Sequence, residues 1–130
     1  MKILSFVIAS FVLSTTAFAV DIADIAGRYR ISRPGSATVQ ILRVEGTGAV
    51  YLTERSPAGK LECWGSAQMV QNTLESAFAC ENGRVLEHKI YFSGARIFMD
   101  RFTARVFSSG DGRTRLMNFQ KLANVLPEAI

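Results

Sequence analysis

The stretch from Cys63 to Cys80 reads CWGSAQMVQNTLESAFAC, and two local structures compete for it. Met69, Val70, Leu74, Ala77 and Phe78 fit the apolar stripe of an amphipathic helix within residues 67–79. The same residues fit two strands joined at Gln71-Asn72, where Asn tolerates the positive φ of a two-residue hairpin turn. In that hairpin the numbers of cross-strand partners add to 143, so Cys63 falls opposite Cys80. Counted out from the turn, they form a non-hydrogen-bonded pair. Cα atoms there approach to about 4.5 Å, within disulfide range. Met69 then faces Leu74, and Gly65 faces Phe78, on one side of the ribbon. A helix would need separate packing to join the sulfurs, so the hairpin is favoured. The bond would close a loop of about 16 residues and stabilise by roughly 3 kcal/mol.

Outward from this hairpin, turn signals recur at short intervals: Arg33-Pro34-Gly35-Ser36, Glu45-Gly46-Thr47-Gly48, Ser56-Pro57-Ala58-Gly59, Asn82-Gly83, Ser93-Gly94 and Ser108-Ser109-Gly110-Asp111-Gly112. Runs rich in Val, Ile, Phe, Tyr and Thr lie between them. That spacing predicts strands near 27–32, 37–45, 48–55, 60–69, 73–80, 84–92, 95–107 and 113–121. Asp21 to Ala26 reads as a short helical turn. Leu122 to Ile130 has little pattern.

Two hairpins raise questions of register. A strict two-residue turn at Asn82-Gly83 would set Phe78 against Glu87, although the apolar set is Leu86, Ile90 and Phe92. A bulge at Gly83 restores the face, because a one-residue slip inverts every side chain. For the last hairpin, a loop at 108–112 places Arg105 opposite Arg115. One face then carries Phe98, Phe102, Ala104, Val106, Leu116 and Leu122. The other carries Arg101, Arg105, Arg113, Arg115 and Lys121, with Met117 and Phe119 among them. On the first strand Tyr29 and Ile31 point inward, and Arg28 and Arg30 outward. If the sheet closes, the two arginine faces merge on the outside.

The N-terminus fixes the expected compartment. Met1-Lys2, the apolar run Ile3–Leu13 and the small-residue site Ala17-Phe18-Ala19 form a secretory signal, residues 1–19. The run is too short for a bilayer of about 30 Å, which needs about 20 apolar residues. The mature chain, 20–130, is then one β domain with no membrane span. No Cys follows the cleavage site to take a lipid. Export and an even cysteine count favour a Cys63–Cys80 disulfide in a secreted or periplasmic protein.

The whole chain has a formal charge of +4. Removing Lys2 leaves a mildly basic domain whose cations are mostly Arg. That is too little to argue for nucleic acid. No phosphate loop, zinc spacing, calcium loop or nucleophile motif is present, so no metal, cofactor or enzymatic activity is expected. His88 sits between Leu86 and Ile90 and reads as a structural histidine, since a general base would need a nucleophile and an orienting acid beside it.

Two surface features carry the functional reading. Arg28, Arg30, Arg101, Arg105, Arg113 and Arg115 would form a face able to grip carboxylate, phosphate or sulfate. Its partner would be an acidic protein or an anionic envelope component, a lipid headgroup or an acidic polysaccharide. The plainer reading is an ordinary solvated face that guards against edge aggregation. Trp64 points away from the core in the hairpin and is a possible binding anchor, unless the tail or a loop covers it.

Ile25-Ala26-Gly27-Arg28-Tyr29-Arg30-Ile31 resembles the opening of the lipocalin-like, or calycin, barrels. In that family a Gly-x-Trp on the first strand follows a short helical turn, and a basic residue of the last strand packs over the aromatic. The resemblance implies Tyr29 in the aromatic position and Arg113 or Arg115 as its basic partner. Exported bacterial protease inhibitors of similar size share that opening. The match spans about seven residues, lacks the Trp and transfers no functional residue.

The expected fold is all-β: a small antiparallel up-and-down barrel or compact sandwich of about eight strands, with a lipocalin-like barrel favoured. The expected function is an exported, non-enzymatic binding protein that acts through its surface on a macromolecular partner, with hydrolase inhibition as one form of action. The alternative is a carrier of a small apolar ligand in the barrel. Inward Phe78, Phe92, Phe98 and Phe102 argue for a filled interior.

Overall fold

The computed structural model describes residues 20–92 and 98–122. The expected signal segment, the Ser93-Gly94 turn, the start of the expected 95–107 strand and the C-terminal tail lie outside the described residues. A short 3-10 turn, Ile22–Ile25, precedes eight strands: β1 Gly27–Ser32, β2 Val39–Val44, β3 Ala49–Ser56, β4 Gly59–Val70, β5 Thr73–Cys80, β6 Val85–Tyr91, β7 Arg101–Ser108 and β8 Arg113–Leu122. Each strand pairs with its neighbours in sequence, and β1 pairs antiparallel with β8, so the sheet closes into an up-and-down barrel. Closure removes every sheet edge.

The Cys63–Cys80 stretch is a hairpin, not a helix. Cys63 pairs with Cys80, Gly65 with Phe78 and Met69 with Leu74, and the two cysteines are disulfide-bonded. The left-handed turn residue is Gln71, with φ of 57°, rather than Asn72. In the next hairpin Phe78 pairs with Leu86 and Ser76 with His88. Gly83 takes φ of 85°, and its N–H donates to the Cys80 carbonyl at 2.9 Å. The expected slip at Asn82-Gly83 is therefore present, and it keeps Phe78, His88 and Ile90 inside.

The last hairpin corrects the sequence reading. Ser108 pairs with Arg113, so the loop is 109–112 and Arg105 faces Leu116 rather than Arg115. That one-residue difference inverts β8. Phe119 is 2% exposed, while Leu116 is 60% exposed. Phe98, expected in the core, is also exposed.

Inward side chains divide the barrel into two zones. At the end where the 3-10 turn sits, Ile25 closes the interior and the Tyr29 hydroxyl donates to the Ile25 carbonyl at 2.6 Å. Burial pushes the Tyr29 pKa up to about 12. Phe102 stacks on Phe119 at 5.0 Å, and Tyr29 and Phe92 meet both rings. Val50, Leu52, Leu74, Phe78 and Ile90 fill the middle. The basic residue in register with Tyr29 is Lys121, not Arg113 or Arg115, because those two lie at the opposite end of β8. There the loops 33–38 and 109–112 flank a polar mouth.

Candidate functional site

The alternation that buries the core also aims polar residues into the mouth. Gln40 on β2 and Glu54 on β3 share the inward phase of Leu42 and Leu52. His88 shares that of Ile90 on β6, and Ser108 and Arg115 continue β7 and β8; Ser76, opposite His88 on β5, is buried but does not line the mouth. The mouth cavity holds about 290 Å³. Its apolar wall is Ile31, Val106 and Met117, and Arg33, Ser36, Thr38 and Asp111 reach it from the two loops.

Both signs of charge are present in the mouth. Gln40 Nε2 donates to Glu54 Oε2 at 3.0 Å. Arg115 is ion-paired with Asp111, whose other carboxylate oxygen accepts the Arg113 backbone N–H at 3.0 Å. These contacts hold the Asp111 carboxyl below its usual range, the backbone bond contributing most.

His88 is 6% exposed and Ser76 5%. Among the described residues, the buried Ser76 hydroxyl has no hydrogen-bond partner in the protein. The edge of Phe78 meets the imidazole at 5.4 Å. Among the described residues, no nucleophile is bonded to the ring. Burial lowers the His88 pKa, and the charges of Glu54 and Asp111 partly oppose this. The unfolded chain then binds a proton at higher pH than the folded one, so stability is full above the ordinary histidine value of 6.5 and falls as pH drops below it. We expect Tm to decline from pH 7.5 to pH 5 and His88→Phe to flatten that slope. Equal slopes in both proteins would refute the assignment.

The arginines expected on one face are dispersed. Arg30 and Arg101 flank Gln120 on the outer surface. Arg105 lies between Tyr91 and Leu116, and Arg113 is exposed where β8 begins. Arg115 lines the mouth and leaves the outer set. The reason is the inverted β8, which places Leu116, Asn118, Gln120 and Leu122 on the outside.

Arg28 instead heads a different outer row. Cross-strand pairing runs from Arg28 to Arg43, Tyr51, Trp64, Ala79 and Val85 across β1 to β6. Trp64 is 51% exposed, Tyr51 40% and Val85 73%. The Arg43 guanidinium sits 4.1 Å over the Tyr51 ring and 3.5 Å from Glu45. A cation over an aromatic face fixes both side chains at an exposed site, by about 0.5–1 kcal/mol. Trp64 was legible in the sequence. Its neighbours were not, because the row assembles only when five hairpin registers are known.

Comparison with known proteins found no matching family, no matching characterised protein and no matching solved structure. Among the described residues, no helix is long and apolar enough to cross a membrane.

Proposed function

We infer that this is an exported, non-enzymatic binding protein that docks a protein partner through its outer β2–β6 face. The observation that supports this reading is the row Arg43, Tyr51, Trp64 and Val85, four side chains in cross-strand register on a closed barrel. Trp, Tyr and Arg are the residues that most often carry interface energy. A rigid sheet presents them with little ordering cost on binding. The mildly basic charge of the domain that remains without Lys2 favours a partner with an acidic rim. Export rests on the Met1–Ala19 pattern together with the disulfide. Blocking an extracytoplasmic hydrolase is the form of action we assign, since a small stapled barrel can cover a cleft without chemistry of its own. An apolar carrier is less supported, because stacked aromatics occupy the interior.

The test begins with capture from the secreted or periplasmic fraction, identification of the bound protein and its purification. Titration then compares the parent with Trp64→Ala/Tyr51→Ala. Two anchors of this kind are together worth about 3 kcal/mol, so affinity should drop by about a hundredfold. Equal affinity of both proteins, or binding only to anionic lipid vesicles, would overturn the reading.

A further inference from the structure

We propose that the polar mouth is a binding site for a compact zwitterion, a molecule with an ammonium and a carboxylate a few bonds apart, as in a free α-amino acid. The site is independent of the outer row and lies at the open end of the barrel interior.

The occupant's size follows from the floor. A cavity of about 290 Å³ sits at the lower limit of ligand pockets, about 300–1,000 Å³. Below it Phe78, Leu52 and Ile90 are almost fully buried, so no chain can extend downward. Polarity follows from a buried group. His88 is more than nine-tenths buried and lines the mouth. A neutral imidazole offers one donor and one acceptor, so this wall of the mouth suits a polar occupant.

Charge fixes the class. Glu54 spends one carboxylate oxygen on Gln40, and its other oxygen can accept from an ammonium. Asp111 is held by Arg115 and by the Arg113 backbone. The Arg115 fork carries five N–H donors and keeps several for a carboxylate. Glu54 and Arg115 stand on β3 and β8, with β2 and β1 between them, so acceptor and donors come from different walls. Both Glu54 and Asp111 act electrostatically on His88, which places all three in one field. With Arg33 included, the charges of the mouth balance. A simple anion would meet Glu54, and a simple cation would meet Arg115, whereas a zwitterion matches both.

The test is to titrate the purified protein with each common free L-amino acid at millimolar concentration. The readouts are thermal shift and ligand-observed saturation-transfer NMR. At least one amino acid should raise Tm and show transfer. Its N-acetylated and its C-amidated forms should each bind about tenfold more weakly or worse, since each loses one charged contact. Glu54→Gln and Arg115→Met should produce the same loss, while Trp64→Ala leaves binding unchanged. If no free amino acid binds, or if capped forms bind as well as free ones, the proposal fails. The capped ligands probe the unaltered protein, so misfolding of a variant does not change the outcome.

Discussion

Gly65→Ala is expected to destabilise the barrel by about 3 kcal/mol or more, enough to lower Tm by about 12 °C. Gly65 lies inward on β4, opposite Phe78 on β5. A methyl group there would collide with the Ala77 carbonyl oxygen and crowd the Ala77 carbonyl carbon and the Phe78 Cα. The obstacles are backbone atoms of a central strand, so no rotamer change relieves them. β5 would have to move away from β4 at the pair beside Phe78, one of the largest fully buried side chains. Interiors packed at crystal-like density tolerate little such movement. Gly46→Ala is the control. Gly46 lies in the β2–β3 turn without positive φ, and nothing stands within 4 Å of an added Cβ. That variant should stay within about 0.5 kcal/mol of the parent. Thermal unfolding of both variants separates the outcomes. Similar Tm values would mean that β4 and β5 separate freely and that the close approach at Gly65 carries no cost.

The same pair of strands shows how much of the fold the sequence reveals. Cys63 and Cys80 constrain register over their whole hairpin, because a disulfide needs close Cα atoms and the turn between them admits one pairing. Asn82-Gly83 does the same for the next hairpin once the apolar face is required to stay continuous. Neither lever exists for β7 and β8. The Ser108–Gly112 segment offers several loops of similar quality. Alternation on β8 does not discriminate either, since Leu116, Leu122, Met117 and Phe119 occupy both phases. The observed loop buries Phe119 among Tyr29, Phe92 and Phe102. That cluster draws on β1 and on Phe92 just after β6, far away in sequence. The choice of phase is therefore a tertiary effect, and local pattern cannot show it.

The inversion of β8 has functional consequences. In one phase Arg115 is one more surface cation, and in the other it lines the open mouth and pairs with Asp111. Glu54 and His88 look unrelated along the chain, being separated by β4 and β5. Closure of the barrel brings them within electrostatic reach. The structural reading of His88 from its place between Leu86 and Ile90 explains its burial but not its place on the wall of the mouth. That placement is visible only in three dimensions. Trp64 could be read as outward from alternation alone, whereas the Arg43–Tyr51 contact beside it depends on the β2–β3 register.

Replacing both cysteines, Cys63→Ala/Cys80→Ala, should cost about 3 kcal/mol, comparable to the Gly65 variant but through the unfolded state. The cysteines are 17 residues apart in sequence. The cross-link removes loop-closure entropy from the unfolded chain and leaves native contacts largely as they were. The bond also ties the last β4–β5 pair at the mouth end, while the Gln71-Asn72 turn ties the other end. Without it the hairpin is fastened at one end only, and β4 runs on from Cys63 to Gly59 beside the mouth. Reduction with excess dithiothreitol should lower Tm of the parent by about 12 °C and leave the double variant unchanged. Alkylation and mass measurement of the native protein should show no free thiol. An unchanged Tm on complete reduction would mean that the unfolded chain gains no freedom from losing the bond. Free thiols in the native protein would instead place it in a reducing compartment and remove the premise of export.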